Sequence, residues 1–341
     1  VVVGLWRWAG VTGKSIWLSN DWYSVMGTRQ GGGVVNPPFS RSSLVKGVDR
    51  PIRDVTTGVL PGVARTELWP ANEGIYVMSP GEVLENKTIH GRVRGSLGGV
   101  LRNCRVLGTP PAANPGINQH LPLVELYPYT GALANDSSFL VEDCTLQPLA
   151  AYESPQVYGF KGGGATFRRC VIARCVDAGQ AFYKTTTIEQ CWVGDPTLFN
   201  YAVDPTRSDG DGVHSDGTQW EGGSGMTLTL SGNNYNCSVP GLLTTNGTSV
   251  TCFLNTANVG TPTAGVLTNN WFDGGGVSLN LAANPSSGFT VTGNRIRVGQ
   301  LYPIHIKASA AVQAGWTLSG NVDLTAWEAD PLTSTGITYS T

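Results

Sequence analysis

The run Asp211-Gly-Val-His-Ser-Asp-Gly-Thr-Gln-Trp-Glu-Gly-Gly223 sets a histidine, acids, a glutamine and a tryptophan among glycines, more ionisable chemistry than the chain holds almost anywhere else. Asp177-Ala-Gly-Gln180 repeats the shape of Asp216-Gly-Thr-Gln219, so Asp177 with Asp216, and Gln180 with Gln219, are expected at equivalent places on neighbouring strands. Carboxylates held about 4.8 Å apart raise one another's pKa, which is how an acid and a base arise for glycoside hydrolysis. An elimination beside a carboxylate would instead need a base, and His214 or Lys307 has the right type. Asp273, His305 and Lys307 are candidates to extend the row. For holding a polar ligand without chemistry, the candidates are His214, Gln219, Trp220, Asp273 and His305, with the Trp220 indole as a stacking face. Asp209 and Asp211 are the acids a calcium ion would take, although the long acidic pattern of a calcium loop is missing, and no metal ligand is assigned. Asp-Gly pairs are also turn formers whose carboxylates satisfy nearby backbone N–H groups. A turn or ladder role for Asp216 and Gln219 therefore ranks first, sugar binding second and catalysis third.

What positions these residues is an internal repeat. The segments LENKTI, LRNCRV, VEDCTL, FRRCVI and IEQCWV, then LSGNNY, LTNNWF, VTGNRI and LSGNVD, share one shape. They bring Lys87, Cys104, Cys144, Cys170, Cys191, Asn233, Asn270, Asn294 and Asn321 into one register. The mean interval of about 29 residues falls in the solenoid range. Each segment reads as a strand end, a polar bend and the start of the next strand. Stacking such units buries a core that no single unit could bury, which predicts an all-β, right-handed parallel β-helix. A stacked Asn passes amide hydrogen bonds from coil to coil, and Cys fills the same inward slot. The cysteines lack a CxxC pair, so core packing is expected over metal ligation. Cys237 and Cys252 alone are candidates for a disulfide.

Composition agrees. Charged residues are 13%, Gly is 45 of 341 and net charge is −2, which suits a turn-rich β protein and gives no electrostatic reason to expect nucleic acid. No apolar run approaches a membrane helix, so no membrane insertion is expected. Val1–Trp8 lacks the basic, apolar, small-residue order of a signal peptide and is expected to be a processing point or an internal start. Three regions are expected: an irregular Trp-rich arm over 1–72, with Trp6, Trp8, Trp17 and Trp22, the β-helix over 73–325, and a cap or link over 326–341. The arm either contacts partners or folds back over the first coil.

The order SPGEVLENKTIHG, VLRNCRV, HSDGTQWEGGS, TNNWFDGGG and VTGNRI, over roughly residues 75–321, resembles the pectate-lyase-like β-helix proteins of actinobacteria and their viruses. In the viral branch such proteins are minor tail proteins. The resemblance implies a virion tail component that contacts host-envelope glycan, joined to other tail proteins by its arm and self-associated, as a trimer in many viral β-helices. The alternative it carries is a polysaccharide lyase or glycoside hydrolase, on a virion or secreted. Neither the calcium-binding acids of pectate lyases nor the aspartate cluster of polygalacturonases is matched in order or spacing, so no catalytic residue is carried over.

Overall fold

The computed structural model describes residues 50–71, 74–110, 121–126, 138–153, 157–195, 215–237, 248–253, 262–274, 277–282, 285–297, 302–306 and 315–329. Its strands form three sheets of ten, nine and nine strands, in which each strand neighbours those three places before and after it in the chain. Every pairing between them is parallel, from Thr66–Leu68 beside Lys87–Ile89 to Arg295–Ile296 beside Val322–Asp323. The chain is a right-handed parallel β-helix, as the repeat predicts.

The corner between the third and first sheets explains the repeat. The residue before each ladder position takes a left-handed backbone: Asn86, Asn103, Asp143, Arg169, Gln190 and Asn269 with φ of 49° to 57°, and Gly232, Gly293 and Gly320 with φ of 64° to 66°. One such residue turns the chain from sheet to sheet, and Asn, Asp and Gly reach that conformation at least cost. The next side chain then points inward. Backbone N–H groups donate to the following coil's side chain, from Cys104 to Cys144 Sγ at 3.4 Å and from Cys170 to Cys191 Sγ at 3.3 Å. Cys191 donates to Asn233 Oδ1 at 2.9 Å, and Asn233, Asn270 and Asn294 continue to Asn321. Each ladder amide nitrogen also reaches a strand carbonyl, as Asn233 does with Ile188 at 2.8 Å, so the ladder amides are paired throughout. Lys87 keeps the register, with Thr88 opposite Arg105, but its ammonium turns to Thr66 Oγ1. The four ladder cysteines are free and fully buried. Cys237 is free as well, and the Cys252 side chain lies outside the described residues.

Two expected boundaries move. Residues 50–71 belong to the solenoid: Thr66–Leu68 opens the first sheet, and the chain before it runs as a strap along that sheet's outer face. Asn234 donates to the Pro51 carbonyl, Gly58 N–H to Arg169 O, Val59 N–H to Thr145 Oγ1 and Leu60 N–H to Asn103 Oδ1, a path from late coils back to early ones. The reason is apolar surface: Val171, Ala173 and Trp192 form a second buried cluster on this sheet, Arg53 lies over the Trp192 ring, and Val55 and Val59 are buried. At the other end, the helix Leu324–Ala329 crosses the expected boundary at 325. Leu324 is fully buried, and Glu328 pairs with both Arg297 and Arg50. Residues 1–49 and 330–341, including the four arm tryptophans, lie outside the described residues.

Candidate functional site

The second sheet carries the polar groups. In its strands, Val124, Phe160, Trp220, Leu279, Leu281, Ile304 and Ile306 enter the core, and the residues alternating with them face outward. One register position reads, coil after coil, Arg94, Glu125, Lys161, Gln180, Gln219, Cys252, Asn280 and His305, each opposite the next. Gln180 and Gln219 are thus direct neighbours, with Gln180 Nε2 donating to Gln219 Oε1 at 3.1 Å. His305 holds its place in the row by its backbone, and its side chain lies outside the described residues.

Asp177 and Asp216 lie side by side. The Asp216 N–H donates to Asp177 Oδ1 at 2.8 Å, the Ala178 N–H to the Asp216 carbonyl at 3.0 Å, and Gln180 Nε2 to Asp177 Oδ2 at 3.2 Å. Both aspartates are buried. Burial first, and then the Asp216 charge, push the Asp177 carboxyl well above the usual range. Gln180 is 7% exposed, and its Oε1 finds no hydrogen-bond partner among the described residues.

Lys161 completes the cluster. Its ammonium lies over the Tyr158 ring at 5.6 Å and the Phe182 ring at 5.9 Å. Burial lowers its pKa to about 8, against the pull of Glu221, Asp177 and Glu125. Glu221 sits in a β-bulge, the extra residue between Trp220 opposite Ala181 and Gly222 opposite Phe182. Burial raises its pKa, opposed by Lys161. Glu125 is committed elsewhere, accepting from Arg94 Nε at 2.9 Å. The site therefore juxtaposes two acids held toward their neutral form and an amine held toward its neutral form, a pattern that suits proton transfer as well as hydrogen bonding.

Two expectations fail here. Trp220 has no exposed surface: its indole N–H points at Met226 Sδ and its ring meets Phe289 edge-on at 6.3 Å, so it is core and offers no face to a sugar. The reason is the strand alternation, which sends Trp220 inward because Gln219 points out. Asp273 does not extend the row. Its strand Trp271–Gly274 belongs to the first sheet, where Arg297 grips it through two bonds of 3.0 and 2.8 Å. His214 and Lys307, and the calcium candidates Asp209 and Asp211, lie outside the described residues.

The sequence reasoning missed Lys161, Glu125 and Glu221. The first two were within reach, since LPLVE, VYGFK, VDAGQ and SDGTQ align residue for residue once the register is carried two coils upstream. Glu221 had no such signal, because a bulge breaks the register it would be read from.

Fold and site together define a right-handed parallel β-helix with an in-register polar row and a buried acid–amine cluster on one lateral sheet. Compared with protein-family models, curated proteins and solved structures, the chain matches none. Among the described residues, no helix is long and apolar enough to cross a membrane.

Proposed function

We propose that the protein is a β-helical component of a virion tail that contacts host-envelope glycan through the outer face of its second sheet. The observation that carries this reading is the row of Lys161, Gln180 and Gln219 on successive strands, with Asn280 two strands further on beyond Cys252: ammonium and amide groups set at about the 4.8 Å strand spacing suit the hydroxyls of an extended polymer. The tail assignment rests on the sequence resemblance, and attachment through residues 1–49 and self-association belong to the same proposal. The test is a panel of purified host-envelope polysaccharides. Binding by the intact protein that Gln219→Ala weakens about tenfold, with stability unchanged, is the expected result; no binding across the panel ends the reading.

A second reading, cleavage of the bound polysaccharide, is favoured by the Asp177, Glu221 and Lys161 cluster, whose shifted groups suit acid–base work. Reducing ends and unsaturated-sugar absorbance, measured on the same panel, separate the two. Product formation that Asp177→Asn or Lys161→Met abolishes in a stable protein promotes the enzyme; binding without product keeps the contact role.

A further inference from the structure

Trp69 is 69% exposed, the most exposed large apolar side chain among the described residues. It follows Leu68, which packs on the core, so it stands on the outer face of the first sheet at the first coil. Its ring lies flat on the His90 imidazole of the next coil, with centroids 3.6 Å apart and planes within 4°. His90 Nε2 in turn bonds Glu67 Oε2, on the strand that precedes Trp69. The backbone beneath is fixed as well. His90 N–H donates to Leu68 O at 2.9 Å, Arg92 N–H to Gly74 O at 2.7 Å, and a Cβ at Gly91 would lie 2.3 Å from the Gly74 carbonyl. His90, tied to Glu67, thus backs one face of the indole across two coils, while the Trp69 side chain as a whole stays 69% exposed.

We propose that Trp69, His90 and Glu67 form a pyranose-stacking subsite on the outer face of the first sheet. The axial C–H groups of a sugar ring lie on the indole face away from His90, a surface of one ring's area. Glu67, whose side chain is 57% exposed, uses Oε2 for His90 and turns its second oxygen to a ring hydroxyl. Backing by His90 lowers the ordering cost of binding, because the platform is set before the sugar arrives. The ligand class is a saccharide and not a polypeptide: one ring beside a carboxylate is far smaller than the roughly 800 Å² per partner that a stable protein contact buries. The subsite stands on a different sheet from the row of Gln180 and Gln219, so either survives the failure of the other.

The test uses the full chain with cellohexaose, maltohexaose and N-acetylchitohexaose, following calorimetric binding and tryptophan fluorescence. At least one hexaose should bind and quench emission from Trp69. Trp69→Ala should weaken it by about tenfold, Trp69→Phe should retain most of it, and His90→Ala should fall between. The same binding should persist in Gln219→Ala, which separates this subsite from the second-sheet row. Binding unchanged in Trp69→Ala, or no quenching by any hexaose, overturns the proposal. So does a Trp69→Ala protein that loses self-association while sugar binding is untouched, because the indole is then a protein contact.

Discussion

Asn233 and Asn270, on successive coils, are joined twice: Asn270 Oδ1 accepts the Asn233 backbone N–H at 2.9 Å and its side-chain Nδ2 at 3.0 Å. One amide therefore satisfies two buried donors of the coil before it, while its own nitrogen reaches Leu230 O and Asn294. Asn270→Leu should leave those donors stranded and destabilise the protein by about 2–4 kcal/mol, more than a single surface hydrogen bond is worth. Urea denaturation reads the loss, and a shift below about 1 kcal/mol would contradict this account.

Cys170 occupies the slot that Asn fills in later coils, with Cys191 Sγ accepting its N–H. Cys170→Asn should be milder than Cys170→Leu, since Leu carries extra volume into a closed slot at a cost of about 1–3 kcal/mol. Equal losses in thermal melts would argue against a shared register. Thiol reagents should label none of Cys104, Cys144, Cys170 and Cys191 quickly under native conditions, because all four are fully buried.

The strap makes a prediction about where the chain can be cut. A protein beginning at Arg50 should melt close to the full-length temperature. One beginning at residue 74 loses Val55, Val59 and the first strand of the first sheet, uncovers Trp192, and should lose about 3 kcal/mol or more. Equal melting temperatures would show that the strap contributes little to the body.

Asp177 should shape the pH dependence of stability. Its folded pKa lies above the ordinary 3.8, so its contribution is fully present below that value and is lost as pH rises through the folded pKa. Stability should therefore fall from about pH 4 upward over this window, and Asp177→Asn should flatten the fall. In that variant a turn of the Gln180 amide lets its unpaired Oε1 accept from the introduced side-chain amide. Denaturation curves of both proteins from about pH 4 to 8 decide it; parallel profiles would remove Asp177 as the cause.

Lys161 should react as an amine near neutral pH. With a pKa of about 8, its acylation rate should rise to half its plateau near that pH, well before ordinary lysines at about 10.4. Peptide mapping after brief labelling at stepped pH gives the midpoint for this residue. A midpoint near about 10 would mean that its carboxylate neighbours outweigh burial.

The ladder was legible because each corner imposes two local demands at once. A residue that tolerates positive φ must precede a small or self-pairing inward side chain, and Asn-Cys, Gly-Asn and their variants recur wherever those demands apply. The pairing of Gln180 with Gln219 was legible for the same reason, since parallel strands keep register through the shared pentapeptide shape. What the tertiary structure alone decided was which side of the wall each residue faces and what lies across the coil. The sequence draws Trp220 and Asp273 as neighbours of Gln219, but strand alternation puts one in the core and the order of sheets puts the other on a different wall. Residues 50–65 carry no repeat, and their place on the first sheet follows from an apolar outer face that exists only once Val171, Ala173 and Trp192 are stacked together. The shifts of Asp177, Lys161 and Glu221 arise likewise from burial shared among separate coils, and burial is a property of the assembled wall and of no single segment.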